Sequence, residues 1–326
     1  MTVDVLCLRP KIDFDRAGAL PPISLNIAYR KPNDADIPEI MQQARGLVIP
    51  AVGPKLAPAL FGNSAIKFVQ VTGAGVDRLD ELIVKRAGIA VANVPAGSNA
   101  AVAEYVITMA SLLLRRFTWA SEEIRKGNYS DFRSRMLADN LLGIENLLIG
   151  IVGLGTIGLA VAEAFHKMGC RICYYDPMLR DEKTAQALGA EPLSLDELLK
   201  SADVVTFHLP LLPETKGLIG AWELARMKPG AILVQASRGG IVDEASLAEN
   251  LRSGHLGGAA VDVYSTEPPA PDNPLLTLHG EAARRLILTP HIAGVTRQSA
   301  AFLFRAAWQN VERVLIANEP PLNRVY

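Results

Sequence analysis

Residues 147–158 read LLIGIVGLGTIG, an apolar run that breaks into the glycine pattern Gly153, Gly155, Gly158. The run suits a buried strand, and residues 159–168 carry their apolar positions on one side, as a helix does. Glycine is common, so the pattern alone says little. Flanked by a strand and a helix, it reads as a dinucleotide-binding turn. Gly153 permits the tight turn, Gly155 lets the backbone approach a pyrophosphate, and Gly158 allows close helix packing. The helix start adds amide donors and a favourable dipole for the anion. Asp176 ends the next apolar run, RICYYD, 18 residues beyond Gly158. A carboxylate there accepts hydrogen bonds from the adenosine ribose hydroxyls and repels a 2′-phosphate. Tyr174, Tyr175 and Pro177 offer no cation, so NAD is favoured over NADP, with Arg180 keeping NADP as the lesser option.

Short apolar runs alternate with helical patterns on either side of this turn, which argues for α/β architecture with parallel sheets covered by helices. Strands are expected at 3–8, 25–29, 46–49, 67–71 and 89–92, and in a second series at 146–152, 171–176, 204–207, 231–235, 259–263 and 286–288. Six strands in the second series match a dinucleotide-binding sheet. Ser194 and Glu197 form a capping-box pattern, and Gly169 ends the helix that the glycine turn opens. Thr296 can cap a long amphipathic helix to about Ala317, where the prolines of NEPPLNRVY stop it. If that helix returns to the first sheet, the chain forms two doubly wound parallel-sheet domains. A Rossmann NAD-binding domain, 99–289, is then inserted into a flavodoxin-like substrate domain, 1–98 and 290–326, with two crossings as the hinge. Residues 115–142 show no clear strand and are rich in Arg, Glu and Asp around Trp119, Tyr129 and Phe132. They are expected to form an exposed aromatic arm for a homodimer.

Composition narrows the function. The 326 residues carry 33 basic and 34 acidic side chains, a formal charge of −1, which disfavours nucleic acid as a partner. Residues 100–114 are apolar but too few to span a bilayer, and include Glu104, so no membrane association is expected. The N-terminal residues lack the basic start and long apolar core of a secretory signal. Three cysteines fit a reducing cytoplasm better than a disulfide framework. Cys170 and Cys173 form a CxxC, yet a zinc site needs further ligands, so no metal is expected and Cys173 reads as part of a buried strand.

The chemistry gathers at predicted strand ends. Arg238, in ASRGG, emerges where ligands collect in such sheets and can grip a carboxylate bidentately. Its simpler alternative is a solvated or phosphate-contacting arginine. His291, in TPHIAG, can donate a proton to a carbonyl oxygen as hydride reaches the carbon, and act as base in reverse. Glu267, in STEPP, can hold one ring nitrogen and favour the imidazolium. His208, opening HLPLLPETKG, is either a pocket residue beside the cofactor or a turn residue. His166, His255 and His279 carry no such context.

Taken together, GLGTIG, YYDP, HLPLLPETKGLI, ASRGGIVDEASL, AAVDVYSTEPP and TPHIAGVT resemble successive motifs of the D-isomer-specific 2-hydroxyacid dehydrogenases, over about residues 66–324. This family includes phosphoglycerate dehydrogenases and glyoxylate or hydroxypyruvate reductases. The resemblance implies that Arg238, Glu267 and His291 are catalytic, and that Thr156 and Ile157 contact the pyrophosphate. It further implies that Ala236 and Ser237 flank the nicotinamide, that Asp262 binds its carboxamide, and that Gly294 borders the cofactor. In TGAGVD, backbone amides of Ala74 and Gly75 are implied to meet the substrate carboxylate opposite Arg238, with domain closure excluding water. Thr156 departs from the Arg or Lys of many members, and Glu267 from the glutamine of formate dehydrogenases. The first 65 residues carry little signature, so the particular 2-oxo acid stays open. Two other functions share parts of this pattern: an NADH-responsive regulatory dimer on the same scaffold, and phosphite oxidation.

Overall fold

The protein is described by a computed structural model covering residues 2–178 and 182–326. Arg180, weighed above for a 2′-phosphate, lies outside the described residues. The chain divides into two compact units, Met1–Ser98 with Val295–Tyr326, and Asn99–Gly294. Residues 290–294, placed above with the first domain, pack in the second unit.

The first unit is built on strands β1 (Val5–Cys7), β2 (Ile27–Tyr29), β3 (Gly46–Ile49), β4 (Phe68–Val71) and β5 (Ala90–Ala92). All are parallel, in the order β2-β1-β3-β4-β5. Alternate residues face opposite cores. Leu6, Leu47, Ile49, Val69, Val71 and Val91 enter one, while Val5, Cys7, Val48, Phe68 and Ala92 enter the other. Burial on both faces is why these strands read as continuous apolar runs rather than alternating ones. The second core is completed by Phe304, Trp308, Val311 and Leu315, from the helix Arg297–Leu315. That helix is capped by the Thr296 side chain, which accepts from Ser299 N. The tail is pinned by the buried Asn310, which donates to Gln70 at 2.6 Å and accepts from Leu322 N at 2.8 Å.

The second unit holds β6 (Leu148–Val152), β7 (Arg171–Tyr175), β8 (Glu191–Pro192), β9 (Val204–Phe207), β10 (Ile232–Gln235), β11 (Gly258–Val261) and β12 (Leu286–Leu288). Its order is β12-β11-β10-β9-β6-β7-β8, all parallel. Seven strands replace the six expected. The extra one, β8, is a two-residue exposed edge strand, too short for any period to show. The apolar helix Asn99–Leu114 is a core helix: Val106, Ala110 and Leu113 pack with Ile149, Ile151, Val161 and Phe165. Among the described residues no helix is long and apolar enough to cross a membrane.

Residues 115–142 correct the expectation of an exposed aromatic arm. They form helices Phe117–Arg125 and Tyr129–Ala138, and Trp119 is buried. Its indole donates to Arg284 O at 2.5 Å, and the guanidinium groups of Arg116, Arg135 and Arg284 lie 5.0–6.0 Å from the ring. Arg284 pairs with Glu123 at 2.9 Å and Arg135 with Glu281 at 2.8 Å. The high charge of this stretch therefore fastens it to its own unit. Tyr129 and Leu137 stay exposed.

Candidate active site

The sheet order places the dinucleotide turn at the point where strand succession reverses. β6 lies between β9 and β7, so the turn after β6 and the loop after β9 diverge over a crevice, where ligands of such sheets bind. Gly153 has φ +97°, and a Cβ there would stand 2.7 Å from His208 O. A Cβ on Gly158 would stand 2.1 Å from Gly153 O, so the helix Thr156–Lys167 could not seat against the turn. A Cβ on Gly155 would meet nothing within 4 Å, and no described side chain caps this helix. Free amides above open space fit a pyrophosphate. Asp176 holds the turn from the next strand, accepting from Leu154 N at 2.8 Å and Met178 N at 2.9 Å. His208 shares a 3.0 Å hydrogen bond with Thr206, and burial pushes its imidazole down to about 3, so it is neutral. Cys173 lies within β7, and burial pushes its thiol up to about 12 and that of Cys170 to about 11.

The three proposed reacting groups leave consecutive strands on the other side of the reversal. Arg238 follows β10, Glu267 follows β11, and His291 follows β12. His291 Nδ1 and Glu267 Oε2 are 2.9 Å apart. Glu267 Oε1 accepts from Tyr264 N at 3.1 Å. Burial alone would raise the Glu267 carboxyl, but the hydrogen bond and charge of His291, Tyr264 N and the Arg238 guanidinium hold it below its ordinary value. Arg238 and His291 thus both act on one carboxylate. Gly239 lets the Arg238 loop lie directly against the Glu267 loop, since a Cβ there would stand 1.7 Å from Tyr264 O.

Several positioning residues carry no signal in the sequence. Buried Gln235 accepts from Ser237 N and Oγ, at 3.3 and 2.8 Å, and donates to Arg238 O at 3.0 Å, shaping the loop of Ala236 and Ser237. Its only hint was an amide ending an apolar strand. Glu244 receives Ser265 N at 2.7 Å and Asn273 Nδ2 at 2.5 Å, bracing the Glu267 loop. Asp262, expected at the carboxamide, is buried and accepts from Thr289 Oγ1 at 2.6 Å and from Ile292 N and Ala293 N at 2.8 Å, around the loop that ends at Gly294. Thr156 is exposed at the helix start with Ile157 beside it, while Ala74 and Gly75 lie after β4 in the first unit. Among the described residues no cluster of His, Cys, Asp and Glu could hold a metal ion.

Residues 107–293 match the family model described as D-isomer specific 2-hydroxyacid dehydrogenase, NAD binding domain. The chain belongs to the D-isomer specific 2-hydroxyacid dehydrogenase family. It is 38% identical to D-3-phosphoglycerate dehydrogenase of Archaeoglobus fulgidus over 72% of this chain and 42% of that one. It is 35% identical to glyoxylate reductase of Aeropyrum pernix over 78% of this chain and 75% of that one. The matched stretch thus spans under half the length of the phosphoglycerate dehydrogenase. Among solved structures it resembles the TT0316 protein of Thermus thermophilus, at 29% identity and a TM-score of 0.84 over 99% of this chain and all of that one. As in the D-2-hydroxyacid dehydrogenases, the second unit is an NAD-binding domain of the Rossmann type.

Proposed function

We propose that this protein is an NAD-dependent oxidoreductase that interconverts a small 2-oxo acid and its D-2-hydroxy acid. One observation carries the reading: His291 sits 2.9 Å from a Glu267 carboxylate that also feels Arg238, at the carboxyl end of the same parallel sheet as the dinucleotide turn. NADH, when bound, supplies the hydride. Arg238 binds the substrate carboxylate through its planar fork. Glu267 occupies His291 Nδ1, which leaves Nε2 to hand a proton to the carbonyl oxygen or to take it back. The negative charge on Glu267 offsets the positive charge that His291 carries while it holds the proton to be transferred. Asp262, Ala236, Ser237, His208 and Gly294 border the nicotinamide end, and Thr156, Ile157 and Asp176 the rest of the cofactor.

The test is NADH oxidation followed by absorbance with glyoxylate, hydroxypyruvate and pyruvate, and chiral analysis of the product. Turnover giving the D-isomer is expected with at least one of them. Bound NADH without turnover on any would end this reading. His291→Ala should lower kcat by roughly 10²–10⁴-fold, the usual worth of a general acid. We also propose a homodimer, supported by the exposed Ile124, Tyr129 and Leu137 on the two helices around Trp119. Sedimentation equilibrium checks it: a monomer at micromolar concentration would refute it.

A further inference from the structure

A line of hydrogen bonds runs from the helix Asn99–Leu114 to the His291 loop, and the proposed chemistry makes no use of its far end. Tyr105 Oη lies 2.7 Å from Thr289 Oγ1. The Thr289 hydroxyl donates to Asp262 Oδ1 at 2.6 Å. A hydroxyl has one proton to give, so at Thr289 the phenol of Tyr105 is the donor. Burial pushes that phenol upward, which keeps its proton in place. Asp262 then grips the loop on three sides. Its carboxylate takes Ile292 N and Ala293 N, and its backbone carbonyl takes His291 N, each at 2.8 Å. Tyr264 adds a hydroxyl bond to Thr289 O at 3.0 Å.

The grip has something to resist. His291 sits at φ +55°, a left-handed conformation that is strained for a residue with a Cβ and persists only where its surroundings overdetermine it. Asp262 supplies most of those surroundings, and Asp262 is oriented by Thr289. Removing the Tyr105 proton takes polarisation from the Thr289 hydroxyl and frees it to turn away from the carboxylate.

We propose that Tyr105 is a positioning residue for His291, acting through Thr289 and Asp262 to hold the proton carrier at its pairing distance from Glu267. Its effect on turnover rests on the oxo-acid reading above; its effect on the loop does not. Two full-length variants test it, Tyr105→Phe and Thr289→Val, with amide hydrogen exchange read at Ile292 and Ala293. Each variant should speed exchange at these two amides about tenfold or more, because local opening no longer breaks an oriented carboxylate bond. The double variant should go no faster than Thr289→Val alone, since both act on one line. Amides of β6 serve as the internal reference and should not change. On an accepted oxo acid, kcat should fall severalfold in Tyr105→Phe while KM for NADH stays within about twofold. Unchanged exchange at both amides overturns the proposal. So does equal acceleration throughout the unit, which would make Tyr105 a general stabiliser. If the parent protein reduces none of the acids, the oxo-acid reading fails while the exchange data still decide the role of Tyr105.

Discussion

Glu267 sits where burial and its partners His291, Tyr264 N and Arg238 pull its ionisation in opposite directions, and the partners win. Because the folded value is depressed, its stabilising contribution is complete above the ordinary glutamate range and drains away only as pH falls through the lowered value. Glu267→Gln should therefore cost stability at neutral pH, and urea denaturation should show the gap between parent and variant closing under acid. A gap that persists unchanged well below the ordinary glutamate range would contradict this assignment. Asp176 is the matching determinant that we propose at the cofactor. Asp176→Ser removes the repulsion of a 2′-phosphate and should narrow the preference for NADH over NADPH about tenfold or more in fluorescence titration. Both residues stand out in the sequence as candidates because each sits in a local motif whose prolines mark the turn. Gln235 and Glu244 could not. Glu244 draws its meaning from Asn273, a partner 29 residues away that only folding brings to it, whereas Gln235 bonds to Ser237 and Arg238, two and three residues on, through a turn that no local motif marks.

At the scale of elements, the short apolar runs gave away eleven of the twelve strands, because sheets buried on both faces leave little that is polar to interrupt them. The strand they did not give away, Glu191–Pro192, is held by backbone pairing to β7 and by its position at the sheet edge. Residues 115–142 misled for a different reason. Their charges look solvated in one dimension, but Arg284 and Glu281 come from more than 140 residues away to meet them. Trp119 is the keystone of that assembly. Trp119→Ala should cost about 3–5 kcal/mol, the usual penalty for emptying a large aromatic site. Thermal unfolding of the Asn99–Gly294 unit would register it, and a loss under about 1 kcal/mol, within the range of an ordinary surface change, would show that the helices 117–125 and 129–138 are only loosely attached.

The molecule as a whole is two compact units on one chain, and only the second is contiguous in sequence. Expressed alone, residues 99–294 should fold cooperatively and bind NADH, since strands, turn and covering helices are all internal to them. Failure to give a single calorimetric transition would show that the unit depends on the remainder. The first unit has the opposite character: its opening five strands await a helix that arrives only after the whole second unit, carrying Phe304, Trp308, Val311 and Leu315. During synthesis on the ribosome the nascent opening segment must linger half-finished, with Val5, Cys7, Val48 and Phe68 packed against Phe14 but lacking the rest of their cover, while the nucleotide-binding module matures behind it. Chaperone dependence should accordingly fall on the segment holding the first five strands, and moving the helix Arg297–Leu315 ahead of them by circular permutation should relieve it.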